Sequence, residues 1–425
     1  MNDQERWPEE RFRQLRQQAD PDIDKVVAGY LDDQPAGTGP LELVKAVVQE
    51  LAAAKREARA PSGEPPASEI FAAIDFAADL PEWGDDRELL AKGQAVFADY
   101  GLYQSAALFC KCLPMAYVEV SSAKVLAGVS RLATHGLTRR VAETGQMLVD
   151  VMGLKAVNSL EPGRPGHTTA IGLRILHSFV RALVNERFAD HWDTARFGPP
   201  VNQELLLATI FDFSVVTWEA LESMGVTLSE EQRAAHLYTW SVFGHLMGVE
   251  ACRDRPLTLD DVEPVSERLG RLYESSDEGR RLMARLLEEM EGFMHLGWRK
   301  LPRSLVHWVF RDAKYGADRV PELLGVPKPA WWFTGLFTVA RAANRHSKLA
   351  GPVDGVVRWL VRRVGRQIVI ALIDRHSDGQ AAFRIPEELA GAWRIRQSRP
   401  AVKTRAIRRT VRKTLRAPVR GGPHR

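Results

Sequence analysis

Residues 168–187, TTAIGLRILHSFVRALVNER, decide the fold. Ile171, Ile175, Leu176, Phe179, Val180, Leu183 and Val184 recur at three- and four-residue intervals, the spacing of one face of an α-helix. Thr168 is the expected N-cap. The same pattern extends outward in both directions. Before this stretch it predicts helices over residues 87–100, 104–112, 123–134 and 139–152. After it come 202–224, stopped by Gly225, and a helix opened by Ser229 and Gln232 as a capping box and running to about Met247. Helices are also expected over 277–293, 322–324, 336–345 and 356–374, and near the start over 41–59. No internal repeat and no period-two alternation bounded by hairpin turns occurs, so a sheet is not expected. The expected class is all-α, a single large helical domain with the helices of residues 87–350 in one core.

Composition agrees with a folded chain. Of 425 residues 45% are hydrophobic and 26% charged, the proportions of a globular protein with a sizeable core. Three cysteines, Cys110, Cys112 and Cys252, exclude a disulfide framework and fit a reducing compartment. The absence of any Cys-x-x-Cys excludes zinc-ribbon, thioredoxin-type and c-type haem motifs. The first thirty residues hold no apolar run of the secretory kind, and no stretch reaches the length of a membrane span. The expected location is cytoplasmic.

The segment Ala60-Pro-Ser-Gly-Glu-Pro-Pro-Ala-Ser68 is the clearest linker. It separates an N-terminal helical segment (1–65) from a domain over 66–390. A basic tail follows over 391–425. Residues 394–425 carry twelve Lys/Arg and no acid, leaving 46 basic against 54 acidic residues elsewhere. Such a tail buries little and is expected to be disordered. Its partners would be water alone, an anionic membrane surface or nucleic acid.

No Gly-x-Ser-x-Gly elbow, Walker loop or His-Glu-x-x-His motif is present. The chemistry-bearing candidates are polar residues on helices. Arg174 precedes His177 by three residues and Arg181 follows it by four, so all three share a face. Neighbouring cations disfavour imidazolium and leave a neutral ring, the form that binds metals. A core histidine tuned by its arginines is the plainer alternative, and the same arginines could pair with cofactor carboxylates. Arg140 and Thr144 lie one turn apart, with Glu143 at i+3. They form either a surface Arg–Glu pair or a polar cluster entering an apolar cavity. His236 and His245, nine residues apart on one helix, point in opposed directions and cannot share a metal. They read as structural, as do Cys110 and Cys112, whose thiols diverge. His135 abuts Gly136 at a turn. Trp331-Trp332-Phe333 reads either as a helix start packing on the body or as an interfacial anchor.

Arg140-x-x-Glu143-Thr144 followed by Arg174-x-x-His177-x-x-x-Arg181 resembles the core of the latex clearing protein (rubber oxygenase) and MpaB-type oxygenase family. The resemblance continues through Pro200-Val-Asn-Gln203 and Trp240-Ser-Val-Phe-Gly-His-Leu-Met-Gly248, over roughly residues 90–345. It implies a globin-like helical domain holding haem b, with oxygenase or oxidoreductase activity on a hydrophobic small molecule and dioxygen. It further implies His177 as the iron ligand, Arg174 and Arg181 beside the cofactor, and Arg140, Glu143 and Thr144 on the opposite side. Rubber-cleaving members carry a lysine where this chain has Glu143, which argues against polyisoprene as substrate. For the family's upstream glutamate, Glu119 is the nearest acidic residue.

Overall fold

The computed structural model describes residues 6–32, 80–132, 136–152, 159–187, 189–292, 294, 298–335 and 337–338. The linker at 60–68, His135, the expected helices at 41–59 and 356–374, most of the one at 336–345, and the basic tail lie outside the described residues. Within them the chain is helical throughout: α1 (Glu9–Gln17), α2 (Pro21–Asp32), α3 (Arg87–Ala107), a π-helical turn (Leu108–Cys112), α4 (Leu113–Val118), α5 (Val120–Leu132), α6 (Gly136–Met152) and α7 (Pro165–Arg187). Then come α8 (Thr194–Phe197), α9 (Gln203–Phe213), α10 (Val215–Ser223), α11 (Glu230–Leu246), α12 (Val262–Gly270), α13 (Asp277–Gly292), α14 (Leu301–Phe310) and α15 (Val320–Leu323). Among the described residues there is no strand, only an isolated bridge between Glu119 and Tyr273.

Helix α11 forms the spine. Its N-terminus is closed by the expected capping box, Ser229 Oγ accepting from Gln232 N at 3.1 Å and Gln232 Oε1 from Ser229 N at 2.9 Å. Trp240, Leu237 and Val242 of this helix are fully buried, in one apolar cluster with Leu207, Leu286, Val306 and Phe310. Each such side chain contributes roughly 1.5–3 kcal/mol through burial. The broadest helix contact is α11 on α3. Gly93 permits it, because a Cβ there would lie 2.1 Å from Thr239 Oγ1 and 2.3 Å from the Ala235 carbonyl. Helix α7 packs between α6, α2 and α11, so the helix that carries His177 is held from three directions.

Several helix boundaries differ from those expected. α7 begins at Pro165 rather than behind Thr168, whose N–H already donates to the Arg164 carbonyl at 2.9 Å. Proline suits a first helical position because its fixed φ is preorganised and its missing N–H is not needed. Residues 202–224 form two helices with a break at Ser214 (φ −104, ψ −79), whose hydroxyl donates back to the Ile210 carbonyl at 2.6 Å. A serine making that bond competes with the backbone ladder, and the β-branched Val215-Val216-Thr217 run that follows weakens it further. Residues 87–107 are one helix with Gly101 inside it. Tertiary packing outweighs the cost of about 1 kcal/mol for a mid-helix glycine. The segment 108–112 is a π turn rather than the end of an α-helix. That turn directs Lys111 inward, where it is 1% exposed, 2.8 Å from Glu219 Oε2 and 5.8 Å from the Phe310 ring centre.

Residues 6–32 are part of the body. Phe12 and Leu15 of α1 join the main cluster, and Ile23 and Val27 of α2 pack with Ile171, Ile175 and Phe179 of α7. Backbone bonding fixes the entry to α2: Gln203 N donates to the Gln18 carbonyl at 2.9 Å and Gln203 Nε2 to that of Ala19 at 3.0 Å.

Candidate functional site

The face of α7 that carries Arg174, His177 and Arg181 lies against the start of α2. Asp20 holds Arg174 in a fork, Nε to Oδ2 at 2.6 Å and Nη2 to Oδ1 at 2.9 Å. Two turns further on, Arg181, 4% exposed, meets Asp24 at 2.6–3.0 Å through Nε and Nη2 and donates Nη1 to the Val201 carbonyl at 3.2 Å. Ser178 Oγ donates to the same Asp24 carboxylate at 2.5 Å. Paired N–H donors meeting paired carboxylate oxygens are the strong, directional form of this interaction. Both guanidinium groups are therefore already engaged with carboxylates of this chain. Gly248, at φ +74, makes room for the first pair: a Cβ there would lie 2.5 Å from Asp20 Oδ2 and 2.6 Å from Arg174 Nε.

His177 sits between these pairs. The ring is half-buried, and Nδ1 is shielded from solvent with no hydrogen-bond partner among the described residues. Burial first, then the Arg181 cation, drive its pKa down from the usual histidine value to about 4, against an opposing pull from Asp20. The imidazole is therefore neutral at pH 7. A buried polar atom without a partner costs about 1–3 kcal/mol, a penalty that a bound ligand group relieves.

Helix α6 runs along α7. The two are tied where α6 ends and α7 begins, Thr169 Oγ1 donating to Asp150 Oδ2 at 3.0 Å. Helices joined at that end and packed along one another run antiparallel. Seven residues back along α6 and seven forward along α7, each about 10 Å, bring Glu143 level with Leu176, and so Glu143 and Thr144 into the register of His177. Glu143 is exposed and Thr144 half-buried, and both make interactions with their surroundings. Arg140 lies one turn earlier on α6; its side chain is outside the described residues.

The remaining candidates have structural surroundings. His236 is fully buried, its Nε2 accepts from Trp240 Nε1 at 3.3 Å, and burial pulls its pKa down to about 3. His245 Nδ1 lies 3.1 Å from the carbonyls of both Cys252 and Arg253, with its ring edge-on to Trp83. Glu119 caps α5, accepting from Ser121 N, Ser121 Oγ and Ser122 N at 2.5–3.2 Å. Cys110 and Cys112 are buried in the π turn, and burial pushes the Cys112 thiol up to about 12 and that of Cys110 higher still. No group of three or more His, Cys, Asp or Glu converges on a metal-sized site among the described residues. Asp20 and Asp24 were not among the residues expected at this face.

Residues 100–413 match the family described as "ER-bound oxygenase mpaB/B'/Rubber oxygenase, catalytic domain". The rubber oxygenase of Streptomyces sp. (strain K30) is 24% identical over 239 residues, 54% of this chain and 53% of its own length. The chain thus spans about half the length of that curated relative. Among solved structures, latex clearing protein LCP in the closed state superposes with a TM-score of 0.66 at 20% identity, covering 84% of this chain and 91% of that one. That likeness establishes the common fold. The family match opens inside α3 and runs through α6, α7 and α11, well over half of the sequence, so this chain belongs to the mpaB and rubber oxygenase catalytic-domain family.

Proposed function

We propose that the protein is a haem-dependent oxygenase acting on a hydrophobic small molecule, with His177 as the residue that would hold the iron of haem b. The observation that carries this reading is the His177 imidazole: neutral, held on a helix packed from three sides, with a buried nitrogen that no described residue engages. A histidine of this kind fits a haem iron. Arg174 and Arg181, expected beside the carboxylates of such a cofactor, already pair with Asp20 and Asp24, so their part in this reading is to fix the helix that carries His177.

Bound haem would supply an iron centre able to activate dioxygen. What the chain contributes follows from its own residues. Ile171, Ile175 and Phe179, on the far side of the helix from His177, pack on Ile23 and Val27 of α2 and hold the helix in place. The depressed pKa keeps the ring available as a ligand at any pH above about 4. On the opposite side, Thr144 would offer a hydroxyl that both donates and accepts, and Arg140 would offer a positive charge. Glu143 is an acceptor, able to take a proton from substrate where the rubber-cleaving pattern would place a cation. That difference favours a small hydrophobic substrate over polyisoprene.

The visible spectrum of the isolated or haem-reconstituted protein tests the reading. A Soret band is expected, and it should vanish in His177→Ala at unchanged far-UV circular dichroism. A colourless protein that takes up no haem overturns the proposal. The engagement of Arg174 and Arg181 by Asp20 and Asp24 favours a second reading, a non-catalytic ligand-binding protein of the same fold, and that outcome is its signature.

A further inference from the structure

Behind Pro327 and Pro329 the chain enters a helical stretch at residues 331–335 that is firmly seated. Phe333 and Phe337 are buried at 0% and 1% exposure. Phe337 packs on Trp308 with ring centres 5.2 Å apart, and Phe333 on Trp298 at 5.7 Å. The Ala330 N–H donates to Ser304 Oγ at 3.1 Å. On this anchored base Trp331 is 84% exposed and Trp332 40%, the exposed large hydrophobic side chains among the described residues. Trp332 is braced by stacking on Phe333 and by the edge of Trp298 at 6.1 Å. A shallow groove lined by Lys328, Pro329, Trp331, Thr334, Gly335 and Thr338 runs beside them.

Exposed cations stand close to the patch. Lys328 flanks the groove, and Arg299 and Lys300 directly follow Trp298; all three are exposed. The chain beyond it, residues 339–425, holds 21 Lys/Arg against five Asp/Glu, although the protein as a whole is only +4. Two adjacent water-facing indoles on a rigid seat, with Lys328 beside them and Arg299 and Lys300 next to the bracing Trp298, have the chemistry of a bilayer interface. Indole partitions to the headgroup level, and each basic residue near an anionic leaflet adds attraction. The groove beside the indoles offers threonine hydroxyls and backbone but no set of donors suited to base edges, which disfavours nucleic acid.

We propose that this face docks on the surface of an anionic lipid bilayer, with Trp331 and Trp332 entering the headgroup layer and Lys328, Arg299 and Lys300 facing lipid phosphates. The proposal is independent of haem binding. It is tested with the full-length protein and large unilamellar vesicles of phosphatidylcholine, with and without phosphatidylserine, read by co-sedimentation and tryptophan emission. Binding to the phosphatidylserine vesicles with a blue-shifted emission is expected. The double variant Trp331→Ser, Trp332→Ser should bind about tenfold more weakly at unchanged circular dichroism and thermal unfolding. Arg299→Glu with Lys300→Glu should weaken binding to the anionic vesicles alone. Failure to bind either vesicle, equal binding with and without phosphatidylserine, or wild-type binding by the double tryptophan variant overturns the proposal. A wild-type dimer that the tryptophan substitutions convert to a monomer also overturns it, by assigning the patch to a second copy of the chain.

Discussion

His177 on α7 and His236 on α11 are alike in several respects. Each lies on a long helix, each has an Nδ1 sealed from solvent without a partner, and burial pulls each far below the usual histidine pKa. Their neighbourhoods differ. His236 has its other nitrogen bonded to Trp240, which stacks on Phe213 with ring centres 5.0 Å apart and meets Phe243 edge-on. His177 stands between two arginines, one clasped by Asp20 just before α2 and the other by Asp24 within it. A neutral buried ring is thus no signature of a ligand by itself; what distinguishes His177 is the charged, carboxylate-binding frame around it.

The largest effect expected from this contrast is spectroscopic. His177→Ala should remove the haem absorbance of the reconstituted protein, whereas His236→Ala should retain it per folded molecule. The reverse result would exchange the roles of the two residues. His236→Ala should instead cost about 3–4 kcal/mol of unfolding free energy in urea titration, because it leaves a cavity and strips Trp240 Nε1 of its acceptor.

Acid should act on both histidines with the same sign. A ring whose folded pKa is near 4 or 3 stays neutral while the unfolded chain, with pKa near 6.5, takes up a proton. Above pH 6.5 neither state is protonated and the histidines leave stability unchanged. As pH falls from 6.5 toward 4 the unfolded state gains protons that the folded state refuses, and His177 alone removes roughly 3 kcal/mol. Urea midpoints of the wild type and His177→Gln at pH 7 and pH 5 check this. The variant should lose less stability than the wild type between the two, and equal losses would mean that the native ring is not held neutral.

Asp24→Asn attacks the frame rather than the ring. It leaves Arg181, 4% exposed, without its counter-charge, and should cost about 2 kcal/mol. The same substitution at an ordinary surface pair, such as Arg196 with Glu274, would change almost nothing. A cost no larger than that would place Arg181 in better contact with water than its burial indicates.

The same division separates what was legible in the sequence from what was not. Local signals were readable: the Ser229–Gln232 capping box and the stop at Gly225 stand where residue chemistry puts them. The Arg174, His177 and Arg181 face was also readable, since helical spacing alone aligns it. Its partners were not. Asp20 is 154 residues from Arg174, and nothing in a single sequence fixes a contact of that range. A signal for α2 did exist in Asp20-Pro21-Asp22-Ile23-Asp24, with Ile23 and Val27 one turn apart, but it announces an amphipathic helix without saying where it docks. The π turn at 108–112 had no compositional mark, because its extra residue is accommodated by packing around Lys111. Ser214 shows the opposite case: Phe213-Ser214-Val215-Val216-Thr217 carries a back-bonding serine before a β-branched run, a signal for the break that helical periodicity on both sides concealed.

The smallest effect isolates the hydroxyl that joins α7 to α2. Ser178 is 2% exposed and its Oγ donates to Asp24 Oδ1 at 2.5 Å, while Asp24 keeps both nitrogens of Arg181 whatever stands at 178. Ser178→Ala deletes one charge-assisted hydrogen bond without stranding a buried donor, and alanine favours a helix interior slightly more than serine does. The expected net cost is about 1 kcal/mol, read from the urea midpoint at unchanged slope. A loss as large as that of Asp24→Asn would mean that the hydroxyl, and not the ion pair, positions the carboxylate. In that case the double variant should be no less stable than either single one, since residues acting through a single network do not add.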